Sequence, residues 1–391
     1  MTQLAKLAAT LSPLAFALAS CGNMSTVDSG SAIAASTTAP ESSSEPFTIE
    51  ETGTFARPWA AAFEPGTGNL FITEKEGSIK FFQTANGKLG FVSGVPEVDY
   101  GGQGGLGDIA FAPDYATSKA IYLSWAEAGD GDTRGAVVGR GTLVCEDHDS
   151  CDIRDLEVIW RQSPKVTGRG HYSHRLEFSP DGRYLYVASG DRQKLTPAQD
   201  MSNTVGSIVR LNLDGTAAAG NPFATYDCTC EEIWSYGHRN ILGMAHDLEG
   251  RLWEVEHGPA GGDELNLVTE GDNYGWPTRS NGDHYNGDDI PDHTADDGFT
   301  KPLVHWTPVI APGDMTLVKG DLFSAWRGDM LIAGLSSQAL VHIDLDGEKA
   351  REVARYEFDN RIRAVTEGPD GALWLLEDGS EGRLLKLTPA N

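Results

Sequence analysis

A histidine and a carboxylate stand where two loops could bring them together. His171 lies in Gly168-Arg169-Gly170-His171-Tyr172-Ser173-His174-Arg175, just before a strand-like stretch, and Asp191 follows that stretch in Ser189-Gly190-Asp191-Arg192. Imidazole titrates near neutrality, and a carboxylate on its other nitrogen would orient and charge-stabilise it, as a general base requires. His171 is thus the candidate base and Asp191 its partner, with His174 the rival in the same motif. A hydrogen-bonded loop histidine without chemistry fits the spacing equally well. Gly237-His238-Arg239-Asn240 sets a guanidinium beside an amide, a combination suited to a planar anion with several oxygens. Arg361-Ile362-Arg363 would aim two guanidiniums the same way on a strand, because side chains there alternate faces. An exposed basic pair is the plainer alternative. In Glu256-His257-Gly258-Pro259-Ala260-Gly261-Gly262-Asp263-Glu264, glycines and a proline free carbonyls from sheet pairing and Glu264 adds a carboxylate. Calcium prefers such oxygens, although a simple tight loop would read the same.

The elements that must position these residues are strands. A phrase recurs: an apolar residue, a turn with Pro, Asp or Gly, then an alternating apolar run. It leads into Asn69–Glu74, Ile121–Trp125, Tyr184–Val187, Leu252–Val255, a degenerate Met330–Ala333, and Leu373–Leu376. Period-two alternation closed by Asp-Gly and Pro-Asp turns predicts antiparallel hairpins. The 46 glycines and 19 prolines suit a turn-rich β protein, and no later segment reads as a long amphipathic helix. The copies predict an all-β, six-bladed β-propeller of four-stranded antiparallel blades with long inserted loops, rather than a sandwich. Gly102-Gln103-Gly104-Gly105-Leu106-Gly107 matches the dinucleotide-binding glycine pattern. A strand and a turn follow it where that site needs a helix, so a nicotinamide site is rejected. No Gly-x-Ser-x-Gly elbow supports a serine hydrolase.

Residues 1–20, with Lys6 and the apolar run Leu7–Leu18, read as a secretory signal. Leu18-Ala19-Ser20-Cys21 looks like a lipobox, which implies cleavage before Cys21, its acylation, and a periplasm-side anchor in a bacterial membrane. Residues 21–45 are then the lipidated cysteine and a flexible Ser/Thr-rich linker, and residues 46–391 the propeller. The net charge of −27 repels phosphate backbones and argues against nucleic acid. Cys145, Cys151, Cys228 and Cys230 suit disulfides in an oxidising compartment, in unassigned pairing, ahead of a zinc site at Cys228-Thr229-Cys230.

Taken together, the motifs resemble the soluble PQQ-dependent sugar dehydrogenases, in both the glucose and the aldose branches. Gly-Gln-Gly-Gly at 102–105, Ile-Trp-Ser-Tyr-Gly-His-Arg-Asn at 233–240, Glu-His-Gly-Pro at 256–259, Gly-Asp-Glu-Leu-Asn at 262–266 and Asn-Tyr-Gly-Trp-Pro at 273–277 carry the likeness. The resemblance implies a propeller that oxidises aldose sugars to lactones with pyrroloquinoline quinone (PQQ) and calcium, passing electrons to an unidentified acceptor. It implies His171 as proton acceptor with Asp191, and Arg239 stabilising charge on the quinone. Gln103, Arg239, Asn240, Tyr285, Arg361 and Arg363 would contact PQQ. The carbonyls of Gly258 and Pro259 would bind the calcium at the cofactor, and Glu264 with the Tyr274 carbonyl a second, structural calcium. One position departs: where relatives carry a cofactor-facing Lys or Arg, this chain has Ser336. A calcium-dependent lactonase and a non-catalytic sugar- or protein-binding propeller are the competing functions, and monomer and dimer stay open. The acidic loop Asp283–Asp297 is either a solvated charged loop or another cation site.

Overall fold

The computed structural model describes residues 46–226 and 230–390. The signal peptide, the Cys21 anchor, the linker and Cys228 lie outside the described residues. Strands dominate. The described helical turns are Tyr115–Ser118, Thr196–Gln199 and Ser324–Trp326.

Four separate sheets have four strands each. A nine-stranded sheet consists mainly of two antiparallel runs, Pro58–Phe63 to Lys88–Ser93 and Leu106–Phe111 to Ser150–Arg161. These runs are joined by a parallel pairing of Phe91–Ser93 with Ser150–Asp152. The chain ends share one sheet: Phe47–Phe55 pairs antiparallel with Gly382–Pro389, with an irregularity between Glu51 and Gly53. The strands of the recurring phrase are each the second strand of a run. Several are buried along nearly their whole length, such as Asn69–Glu74 and Leu373–Glu377. Sheets cover both of their faces, so sequence alternation gives way to continuous burial there.

The first strands form a ring. Pro58–Phe63 packs beside Leu106–Phe111, then in turn come Ser173–Phe178, Ile241–His246, Pro312–Leu317 and Ile362–Glu367, which returns to Pro58–Phe63. Apolar side chains fill the wedges between neighbouring sheets. Trp253, Val255, Leu265, Met315, Ile332 and Val341 form one such cluster. Burying large aliphatic and aromatic side chains contributes about 1.5–3 kcal/mol each.

At the middle of the ring sits Arg175, 5% exposed. Its Nε donates to Leu242 O at 2.5 Å and its Nη2 to Gly313 O at 2.7 Å. Asp108 and Asp314 lie 3.4 and 3.3 Å from the guanidinium, which rests 4.2 Å over the Trp59 ring. Each carboxylate also accepts a backbone N–H from the next inner strand: Leu176 at 3.0 Å for Asp108 and Val365 at 3.2 Å for Asp314. Burial pushes both carboxyls up, Asp314 to about 7, against the pull of Arg175. Arg175→Met leaves two buried carboxylates without their cation. We expect it to lower unfolding free energy by about 3–5 kcal/mol in urea denaturation. A loss within experimental error would contradict the role given to this residue.

Candidate active site

Ser173–Phe178 and Tyr184–Ser189 are the two strands of one hairpin. Asp191 therefore follows the second strand, not the strand next to His171 as the sequence suggested. The hairpin is what returns both loops to one end. His171 Nδ1 lies 2.6 Å from Asp191 Oδ1. Asp191 is fully buried, and its other oxygen accepts the Trp276 indole N–H at 2.8 Å. With Nδ1 committed to the carboxylate, the Nε2 lone pair is the one left for chemistry.

The loop carrying His171 is strained. His171, Ser173 and His174 all have positive φ, at 48°, 63° and 72°, a region costly for residues with a Cβ. Its surroundings hold it there. Gln103 Oε1 accepts the His171 N–H at 2.6 Å, and Asn240 Oδ1 accepts that of Ser173 at 3.2 Å. Arg192 is fully buried and donates to the carbonyls of Gly168 (2.6 Å), Gly170 (2.9 Å) and Arg134 (2.6 Å). Its guanidinium sits 3.7 Å over the Tyr172 ring. The glycine pattern dismissed as a nucleotide motif serves close packing here. A Cβ on Gly105 would lie 2.1 Å from Lys75 O, and one on Gly107 would lie 2.6 Å from the His174 Cβ.

Burial lowers the His171 pKa below its ordinary value of 6.5; the Asp191 hydrogen bond opposes this, while Arg239 and Arg192 add to it. His174, the rival base, lines the cavity described next. Both its ring nitrogens are buried without a partner, and its ring stacks on Tyr172 at 5.2 Å. Burial pushes it down to about 3. It has no carboxylate to orient it.

A cavity of about 160 Å³ is walled by Lys75, Gln103, His174, Asn240, Arg361 and Arg363 among others. His171 is not in its wall, but its chain neighbours Tyr172 and Ser173 are, as is Gln103, which accepts the His171 N–H. Arg361 stands just before the strand Ile362–Glu367 and Arg363 within it. Both reach Asp378, at 3.1 and 3.3 Å. Arg363 is largely buried and Arg361 is exposed, so the exposed-pair alternative holds for Arg361 alone. Against the effect of burial, Arg363 and Arg361 hold the Asp378 carboxyl below its ordinary range. Arg239 stands beside this cavity, donating to His257 O at 3.0 Å and to the Tyr285 hydroxyl at 3.2 Å. Its Nε is buried without a partner. Tyr285 is 76% exposed and does not line the cavity. Ser336 is exposed, and its neighbour Leu335 supplies the cavity wall.

A second void of about 10 Å³, the size of a single small occupant, is lined by Gly258, Glu256, Glu264, Tyr274 and Arg239 among others. The register sets Glu256 opposite Glu264 and Glu254 opposite Asn266. Glu254, Glu256 and His238 present ligand atoms within 4.8 Å of one another. Glu254 Oε2 and Asn266 Oδ1 are buried without partners. Burial, with Glu256 and Glu254 nearby, pushes Glu264 well up, and burial with Glu256 pushes Glu254 to about 7. Burial opposes the charge on His238, but Glu254 and Glu256 raise it to about 9. Oxygens this buried and crowded suit a hard cation. Sequence reading had Glu264 and Tyr274 but missed Glu254, Glu256 and His238. Alternation along Leu252–Glu256 would have shown two glutamates on one face. Gly258 and Pro259 are buried, and a Cβ on Gly258 would lie 2.2 Å from the carbonyl oxygens of Gly261 and Gly262.

Two other sequence readings are met in part. Cys145 and Cys151 form a disulfide. In the acidic loop, buried Asp297 is met by the N–H groups of Thr294 and Phe299 at 2.9 and 3.0 Å, and by Lys301 and His293, each at 3.1 Å. Against burial, these donors hold its carboxyl well below the ordinary range. It is an internal counter-ion.

Fold and site thus define a class: an all-β protein whose inner loops build one polar, cation-walled pocket beside an oriented histidine. The chain belongs to the glucose/sorbosone dehydrogenase family, whose sequence model matches residues 55–386. It is 38% identical over 339 residues to the aldose sugar dehydrogenase YliI of Escherichia coli (strain K12), covering 85% of this chain and 90% of that protein. The apo-form crystal structure of the soluble E. coli aldose sugar dehydrogenase superimposes with a TM-score of 0.83 at 37% identity, over 88% of this chain and 100% of that one. The PQQ-bound aldose sugar dehydrogenase of Streptomyces coelicolor does so with a TM-score of 0.72 at 27% identity, over 88% and 98%.

The pair can be probed without substrate. In a histidine NMR titration we expect His171 to titrate below 6.5, and Asp191→Asn to lower it further by removing the group that favours the charged ring. A wild-type value at or above 6.5, or an upward shift in the variant, would refute the account.

Proposed function

We propose that this chain is a six-bladed β-propeller that oxidises aldoses at the anomeric carbon to lactones, using PQQ and calcium. The count follows if the nine-stranded sheet is divided at its parallel pairing, and the ring of inner strands supports it. The observation that carries the reaction is the His171–Asp191 pair, at 2.6 Å, tied through Gln103 and the neighbouring Tyr172 and Ser173 to a cavity walled by Arg361, Arg363 and Lys75. The PQQ-bound relative and the E. coli aldose sugar dehydrogenase support the cofactor and substrate class.

The residues fit such a group. Gln103, Asn240, Arg361 and Arg363 would hold PQQ from the cavity wall, with Arg239 and Tyr285 at its rim. The unpartnered Nε of Arg239 is a donor awaiting an acceptor. The carbonyls of Gly258 and Pro259 would hold the calcium at the cofactor. The void lined by Glu264 and Tyr274 would hold the second. When bound, PQQ supplies a two-electron acceptor for the hydride of the sugar's anomeric carbon. His171 Nε2 takes the proton of the anomeric hydroxyl, and Asp191 balances the imidazolium that results. Arg239 brings positive charge to where negative charge develops. A separate electron acceptor completes turnover. The lowered His171 pKa keeps the base neutral at pH 7, so activity is present there and falls as pH drops through that pKa, below 6.5. Export and a lipid anchor at Cys21 belong to the same proposal, supported by the pattern of residues 1–21.

Purified protein reconstituted with PQQ and calcium should reduce a dye with aldoses. His171→Ala should cut turnover by about 10²–10⁴-fold while PQQ stays bound. Unchanged turnover would move the base to His174, and failure to bind micromolar PQQ would end the enzyme reading. Calorimetry with calcium chloride should show a binding event that Glu264→Gln removes. Identical isotherms would take Glu264 out of the metal site.

A further inference from the structure

We propose that the Lys75 ammonium binds a carboxylate of the acidic quinone directly, making Lys75 a cofactor ligand in its own right. The inference rests on the PQQ reading above and deepens it. Lys75 directly follows the strand Asn69–Glu74 and lines the same cavity as Gln103, Asn240, Arg361 and Arg363.

Its backbone is pinned on both sides. Lys75 N donates to Arg57 O at 3.0 Å, and Lys75 O accepts from Leu106 N at 2.9 Å. The side chain therefore starts from a fixed point between two inner strands. Its Nζ makes one hydrogen bond, to Gly102 O at 3.0 Å. Among the described residues no carboxylate pairs with it. An ammonium has three donors, so two remain for a ligand.

The charge around the cavity is unbalanced. Arg361 and Arg363 share Asp378 between them, and Lys75 adds a third cation with no second anion. Burial, Arg363 and Arg57 disfavour the charged lysine, and Asp378, already shared by the two arginines, offsets this only in part, so the net shift is downward. Cations kept together in a shielded space call for an anion there. PQQ carries three carboxylates, which answers that surplus where a neutral sugar cannot. Lys75 also reaches the cavity from the opposite end of the sequence to the exposed Ser336. The cofactor-facing positive charge that Ser336 cannot supply comes instead from the first inner hairpin.

The competing role is structural, since Lys75 could merely tie down the turn that carries Gln103. Salt dependence separates the two. PQQ binding to the calcium-loaded full chain is followed by tryptophan quenching across a range of sodium chloride concentrations. We expect Lys75→Met to weaken PQQ by about 10- to 100-fold and to flatten the salt dependence. Lys75→Arg should keep most of the affinity and the wild-type slope. If Lys75→Met fails to fold, Lys75→Gln carries the same test. PQQ bound as tightly by the variant as by the wild type overturns the inference. So does weaker binding with an unchanged salt slope, which is the mark of a loop tie. Absence of PQQ binding by the wild type overturns the cofactor reading itself, and this inference with it.

Discussion

The structure depends on one buried guanidinium. Arg175 touches the inner strands of its neighbours through Leu242, Gly313, Asp108, Asp314 and the Trp59 ring. Its two carboxylate partners in turn hold backbone N–H groups of the strands that follow them. Inner strands facing a shared axis leave polar backbone groups with no sheet partner on that side. A planar cation with five donors satisfies several at once, where an apolar plug would leave them stranded. The apolar wedges between sheets supply most of the burial, but they are non-directional. The Arg175 network sets how the inner strands meet, and the loops of Gln103, His171 and Asn240 lead directly into such strands.

The strain at the site is tolerable because of that frame. Three residues of the His171 loop hold unfavourable backbone angles, and each nearby restraint comes from a different part of the chain. Gln103 comes from the glycine-rich turn, Asn240 from the start of the next inner strand, and Arg192 from beyond the hairpin. Trp276 reaches from a distant loop to hold Asp191. None of these contacts acts on substrate. Together they fix the Nδ1 proton and aim the opposite nitrogen, which is the part of base chemistry that a protein can build in advance.

Charge is sorted within the site although the molecule as a whole is strongly acidic. Cations wall the larger cavity, and carboxylates crowd the small void behind Arg239. Each group is costly alone: burial lowers the pKa of Lys75 and Arg363 and raises that of Glu264 and Glu254. A cation-walled cavity, and a void where the buried Glu256 and Glu264 meet Arg239 and Arg279, suit an acidic organic ligand and a hard cation. This is the physical support for the proposed cofactor pair, independent of resemblance.

The strand phrases, their turns and the loops that carry chemistry were legible in sequence because they obey short-range rules. A Pro-Asp-Gly turn is local, and so are the alternation from Leu252 to Glu256 and the apolar run from Leu373 to Leu376. The choice of His171 with Asp191 was also within reach, though spacing fitted a loop histidine without chemistry equally well and left His174 as a rival. Only the tertiary structure separated the two, by giving one imidazole a carboxylate and leaving the other unpartnered between Tyr172 and Trp59. Arg175, Arg192, Trp276 and Lys75 were given no role by sequence, although the first three stand within its motifs. Their partners lie in other sheets, and no periodicity in a chain records which distant backbone carbonyl a guanidinium will find. The sequence determined strands, turns and candidate groups. Closure of the ring decided which of those groups would share a cavity, because that depends on strands far apart in the chain meeting at one axis.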